Sequence, residues 1–195
     1  MAAAMVAGLA GSAGAQGSKP FTLEARGGLA YPMETFDQGA KVGFLVGATA
    51  KYSPLPFISL YGGWDFARFG AEDDAGFAGV DTRVKDSGLR IGGELGVPLA
   101  GLMSGIAPYF QAGVTFTRAR VDVSGDESGT LEFESEVTRG FEVGGGGRIW
   151  VAPSFSITPE IRYRRTRPDF DEAPPLGIAN EVAYLVTSLG VNLHF

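Results

Sequence analysis

The chain has 195 residues, one domain's worth, and its 16 Lys+Arg against 22 Asp+Glu leave a formal charge of −6, which excludes a nucleic-acid binder held by phosphate contacts. A charged fraction of 19% with 45% hydrophobic residues excludes wholesale disorder, and the absence of cysteine excludes disulfide frameworks, thiolate metal sites and cysteine nucleophiles. Glycine is the anomaly: 30 residues, about twice the usual share, with no Gly-X-Y repeat that would make the chain collagen-like.

Residues 1–15, MAAAMVAGLAGSAGA, are uncharged, and Ala13-Gly14-Ala15 fits an A-x-A cleavage site. The segment reads as the apolar core and cleavage region of a secretory signal peptide. No Lys or Arg precedes Lys19, so the expectation is a partial signal starting at an internal methionine. The remainder, 16–195, is expected to form a single domain. No later stretch approaches the ~18 consecutive apolar residues of a transmembrane helix, so any membrane crossing must use strands.

From Phe21 onward the pattern has period two, cut by Gly and Pro into segments near 20–33, 42–53, 57–68, 83–97, 106–121, 133–151, 155–167 and 182–195. Pro54 and Pro56, Pro98 and Gly101, and Pro153 mark short turns after the second, fourth and sixth; the other connections are longer and polar. Eight strands alternating short turn and long loop describe an antiparallel up-and-down β-barrel. Phe21, Leu23, Ala25, Leu29 and Tyr31 share one face of the first segment, opposite Thr22, Glu24, Arg26 and Gly28. The third sets Ile58, Leu60, Trp64 and Phe66 against Ser59, Tyr61, Gly63 and Asp65, and the others follow suit.

A soluble barrel turns the apolar face inward, whereas a transmembrane barrel turns it to lipid. Aromatic residues decide between them. On the apolar face, Phe21, Tyr52, Phe110, Phe155 and Phe195 fall at the short-turn end, and Tyr31, Phe44, Phe66, Phe116, Phe141 and Tyr163 at the long-loop end. Two belts with aliphatic residues between them are the girdles of a membrane barrel. Seventeen of the 22 acids lie in or beside the long connections, Glu72 to Asp86 among them. The other five, Glu24, Asp65, Glu94, Glu142 and Glu160, share the polar faces with Arg26, Lys51, Arg90, Arg148 and Arg162. Five acids against five bases predict a packed ion-pair core, because eight strands leave an interior just wide enough to be filled by side chains. Eleven glycines on the inward face, Gly92, Gly113, Gly144 and Gly190 among them, give those long side chains room.

The last eight residues, SLGVNLHF, place Ser188, Gly190, Leu193 and Phe195 in the pattern that resembles the assembly signal on the final strand of outer-membrane barrels. With the eight segments and the phrases PYFQAGVTF (108–116) and ITPEIRYR (157–164), residues 20–195 resemble the OmpA/OmpX-type small outer-membrane barrels. The resemblance implies recognition by the barrel assembly machinery, periplasmic termini and an outer membrane of the Gram-negative type. It does not extend to the peptidoglycan-binding domain that two-domain relatives carry.

No residue set demands catalysis. The single histidine, His194, lies on the inner face at the end the resemblance makes periplasmic, six residues from Ser188, and reads as structural. Gly144–Gly147 lies within a strand and lacks the following helix a phosphate loop needs. Asp73-Asp74 and Asp169–Glu172 lack EF-hand spacing. No cofactor or metal is therefore expected. Arg68, Arg118, Arg139 and Arg165 each stand on the outward face two residues from a belt aromatic, where the phosphates of lipopolysaccharide would lie and a guanidinium fork fits phosphate oxygens; the other reading is a collar paired with loop acids. Residues 118–139 continue alternating beyond the belt, turning near Gly125–Gly129, and predict a projecting hairpin whose edge can add a strand from a surface protein. The functional expectation is a filled, non-enzymatic outer-membrane barrel serving envelope integrity or adhesion. The alternatives are a narrow pore or small hydrophobic-ligand transporter, and a soluble lipocalin-like barrel.

Overall fold

The computed structural model describes residues 19–38, 40–70, 80–97, 106–125, 129–168 and 181–195. Residues 1–15, expected to be part of a signal peptide, and Asp73-Asp74 and Asp169–Glu172 lie outside them. Alternating apolar and polar residues form β1 (Phe21–Met33), β2 (Gly43–Leu55), β3 (Ile58–Gly70), β4 (Val80–Gly96), β5 (Ile106–Gly125), β6 (Gly129–Glu134), β7 (Thr138–Ala152), β8 (Phe155–Thr166) and β9 (Val182–His194). Eight of these close a ring in the order β1-β2-β3-β4-β5-β7-β8-β9, every neighbour antiparallel, with β9 returning to β1. Pairing opposite Leu55 and Ala152 slips at both prolyl turns, the kind of irregularity that bends strands at a barrel rim.

The sixth expected segment, 133–151, is corrected. It breaks at Ser135–Val137, so that β6 pairs with the far end of β5 and β7 alone joins the wall. The expected hairpin is a three-stranded extension, because β4 also outruns the barrel and pairs with β5 up to Val80 opposite Gly125. Its tip, 126–128, is outside the described residues.

Burial is inside out relative to a water-soluble domain. Leu89, Ile91, Phe110 and Leu189 are more than half exposed, while Arg90, Arg162, Arg164 and Glu142 are at most 1% exposed. Such an apolar outer wall is stable in hydrocarbon, where a closed barrel leaves no unpaired strand edge. Rings meet along both belts, Phe21 with Tyr52 at 5.2 Å and Phe44 with Phe66 at 6.2 Å.

The glycine surplus has a steric origin at Gly92 and Gly113, opposite each other on β4 and β5. The Tyr61 ring lies across both: a Cβ on Gly113 would overlap the Tyr61 hydroxyl and stand 2.6 Å from the Ile91 carbonyl oxygen. Gly113→Ala is therefore expected to destabilise the barrel by about 1–3 kcal/mol through overpacking. Equilibrium urea unfolding in lipid vesicles measures it, and an unchanged midpoint would show that Tyr61 has room to move.

Candidate functional site

Two layers of charge fill the lumen. In the layer nearer the short turns, Lys51 on β2 bridges Glu24 on β1 at 2.9 Å and Glu94 on β4 at 2.8 Å, and Arg148 on β7 reaches Glu94 at 2.6 Å. Arg26 contacts Glu24, bonds Glu160 at 3.1 Å and donates to the Thr49 hydroxyl at 2.8 Å. Tyr109 donates to the other Glu160 oxygen at 2.8 Å.

The second layer converges on Glu142 and Asp65. Glu142 accepts from Tyr61 at 2.8 Å, Arg90 at 2.9 Å, Arg164 at 3.0 Å and Arg162 at 3.2 Å. Asp65 Oδ2 accepts from Arg164 at 2.5 Å and faces Arg162 at 3.2 Å and Arg90 at 3.5 Å. The Arg90 guanidinium lies over the Tyr61 ring at 4.9 Å and donates to Thr49 at 2.6 Å. Removing such groups from water is tolerable because nearly every charge meets more than one opposite partner in fixed geometry.

All ten residues expected in the lumen are there, and two more belong with them. Asp86, grouped by sequence with the loop acids, is buried inside and accepts from Tyr184 at 2.7 Å; Tyr184 in turn accepts from Arg164 at 3.1 Å. Arg164 shares the polar face of β8 with Arg162 yet was left out of the charge pairing. The described lumen thus holds six acids against six bases rather than five against five. Strand parity could have found both, since Asp86 is in phase with Arg90 along β4. Asp86 falls inside the expected strand 83–97, but its place at the end of the acidic run from Glu72 grouped it with the loop acids.

A second correction concerns the lumen's far end, expected to stay polar. Ala30, Leu45, Ala67, Phe69, Val84, Val121, Val182 and Val186 form an apolar layer above the charges. Phe36, from a short 3-10 helix over Glu34–Gln38, drops into the mouth and is 1% exposed. Its ring meets Phe69 edge-on at 5.0 Å, and Phe69 meets Tyr184 at 5.2 Å. Glu34 starts the helix with a left-handed φ of 59°, a strained conformation for a residue with a side chain. That turn folds the loop back over the barrel.

The remaining candidates sit at the rims. His194 is held between hydroxyls, Thr22 on Nδ1 at 2.9 Å and the buried Ser156 on Nε2 at 2.8 Å, with the Trp150 ring at 4.2 Å. These contacts pack the imidazole into the short-turn rim. Gly190 faces the Glu24 side chain, and Phe195 donates its N–H to the Phe21 carbonyl at 3.0 Å, tying the last residue to the first strand. Among the described residues no group of three or more His, Asp or Glu is placed to hold a metal, and no helix is long and apolar enough to cross a membrane.

Of the four collar arginines, Arg118 bonds Glu134 at 2.6 Å and Arg139 covers the Phe116 ring at 5.9 Å. Arg165 contacts Glu181 and reaches Glu34 at 3.7 Å, and Arg68 is half-buried opposite Lys85. Hydrogen bonds hold two of these carboxyls below the usual carboxylate range: Glu34 chiefly through the Tyr163 hydroxyl, Glu134 chiefly through Arg118.

A ring of eight antiparallel strands, apolar outside and charged within, defines a transmembrane β-barrel. A family model described as "Outer membrane protein beta-barrel domain" matches residues 1–195, and the chain belongs to that family. Neisserial surface protein A from Neisseria superposes with a TM-score of 0.63 at 20% identity, covering 91% of this chain and 98% of its own. The outer membrane protein OprG of Pseudomonas aeruginosa gives 0.51 at 15% identity, covering 92% and 98%. Ail, the attachment invasion locus protein of Yersinia pestis, solved with the heparin analogue sucrose octasulfate, gives 0.50 at 13%, covering 89% and 99%. At these identities the likeness is one of fold. No curated protein matches the chain.

Proposed function

We propose that this protein is a sealed, non-enzymatic anchor in the outer membrane, serving envelope integrity or adhesion by presenting the three-stranded extension and the long loops at the cell surface. One observation carries the reading: the lumen is closed twice, by interlocked ion pairs and by an apolar layer stoppered with Phe36. A solute would have to break both. In planar bilayers the refolded protein is expected to give no reproducible single-channel conductance; stable, uniform openings would establish the pore reading instead. The termini lie on the periplasmic side in this reading, and Ser188, Gly190 and Leu193 on β9, with Phe195 directly after it, present the assembly signal to the insertion machinery before the barrel closes. The edge of β6 that faces away from β5 offers a place for a partner's strand.

A further inference from the structure

The short helix over Glu34–Gln38 is held at the mouth by two kinds of contact on opposite sides. Beneath it, Phe36 sits in the apolar layer against Phe69. At the rim, the Glu34 carboxylate reaches β8: the Tyr163 hydroxyl donates to it at 2.7 Å, and the Arg165 guanidinium lies 3.7 Å away. The chain leaving the helix is fastened separately, by the Lys41 N–H on the Gly70 carbonyl at 2.7 Å. Between these fastenings lies a flap, closed by an apolar ring inside and by a carboxylate outside.

The outer fastening is built to release. Glu34 holds its left-handed φ of 59° only while the flap is folded back, so opening relieves backbone strain. Its partners do not depend on it. Arg165 also holds Glu181, through Nε and through Nη2 at 2.9 Å, so withdrawal of Glu34 leaves the guanidinium paired. In the lumen the reverse is true, because there a lost carboxylate strands buried cations. The Glu34 side chain keeps 41% of its surface exposed, which opens the latch to protons from solution. Charged and titratable groups around it are Tyr163 and Arg165 on β8, Arg167 just beyond, Glu181 before β9, and Asp37 and Lys41 on the flap's own chain. Phe36 packs on β3, whose Arg68 is on the outward face. β1 has no charged residue after Arg26, and β9 none before His194 at the far end. The Tyr163 hydrogen bond, with Glu181 and Arg165 beside it, holds the Glu34 carboxyl below the usual carboxylate range. A carboxyl depressed in the closed form stabilises that form fully above its ordinary value of about 4.3. The contribution is lost as pH falls through the closed form's lower value.

We propose that Glu34–Gln38 is a lid latched to β8 by the Glu34 carboxylate, and that neutralising this carboxylate in acid swings Phe36 out of the mouth. Opening uncovers the apolar layer of Leu45, Phe69, Val84 and Val186 and adds an apolar patch to the long-loop end. The ion-pair layers beneath stay closed. The lid therefore changes the surface of the barrel rather than its conductance, and goes beyond the sealed-anchor reading without altering it.

The chain has no cysteine, so Asp37→Cys with Thr138→Cys gives unique spin-label sites on the lid and at the start of β7. Electron double-resonance of the full chain in nanodiscs is expected to show one narrow distance at about pH 7.5, lost to a longer, broader distribution by about pH 3. Glu34→Gln is expected to lose the narrow distance already at neutral pH. Tyr163→Phe removes the donor and is expected to shift the midpoint upward, toward about 4.3. Glu181→Gln is expected to keep the lid shut at neutral pH, since Tyr163 and Arg165 still hold Glu34. Heat-modifiable gel migration verifies folding of each variant at each pH. A narrow distance that persists in the folded parent at the acid end overturns the proposal. So does a folded Glu34→Gln barrel that stays shut at neutral pH. Opening by Glu181→Gln also overturns it, since the latch would then be the Arg165–Glu181 pair. Planar-bilayer recording of Glu34→Gln tests the seal separately: silence with the lid open is expected, and a steady current would count against the seal and not against the latch.

Discussion

Glu142→Leu is expected to cost the folded barrel about 3–5 kcal/mol, the largest loss from any single substitution in the lumen. The carboxylate accepts from Tyr61 and three guanidiniums within 3.2 Å. Without it, Arg90 and Arg162 share Asp65 with Arg164, and three buried positive charges face each other in a space closed to water. Glu142→Gln keeps an acceptor for Tyr61 while removing the charge, so its cost is expected to be smaller. Combining Glu142→Leu with Arg162→Met restores the layer's charge balance and is expected to recover part of the loss, a coupling that a double-mutant cycle isolates. Urea unfolding in vesicles reads all three. A Glu142→Leu barrel within about 1 kcal/mol of the parent would mean that water reaches this layer and screens it.

Phe36→Ala is expected to destabilise by about 3 kcal/mol, because a fully buried aromatic ring is lost from a site that other side chains already crowd. The ring's contact with Phe69, 5.0 Å between centroids and near perpendicular, goes with it. Its more informative readout is electrical. With the stopper gone, the ion-pair layers still close the lumen, and the variant is expected to stay silent in planar bilayers. If Phe36→Ala alone gave a steady conductance, the charges below would be lining a path rather than blocking one, and the sealed-anchor reading would fail at that point.

These outcomes bear on how far a sequence of this kind can be read. Strand positions, the two faces and both aromatic belts were legible because period two is imposed by the backbone itself: each residue's side follows from its neighbour's. The ten lumenal charges followed from parity, and so did the glycines, whose job at Gly92 and Gly113 becomes specific once Tyr61 is seen lying across them. Where parity was set aside, the reading failed: Asp86 lies in the expected strand 83–97 on the face of Arg90, yet it was grouped with the acidic connection before it, and the structure buries it in the lumen.

The sequence alone determined a membrane barrel with charge inside and acidic loops, since alternation, belts and charge placement are local or additive properties. Only the tertiary structure decided what closes the mouth and which cations stand together. Phe36 lies in an aperiodic segment, and its place in the lumen depends on a strained turn at Glu34 and on the width of the opening beneath it. Arg68 stands opposite Lys85 and Lys85 opposite Arg120 because three strands meet in one register, and register is set by closure of the whole ring. No residue's own neighbourhood in the chain contains that information.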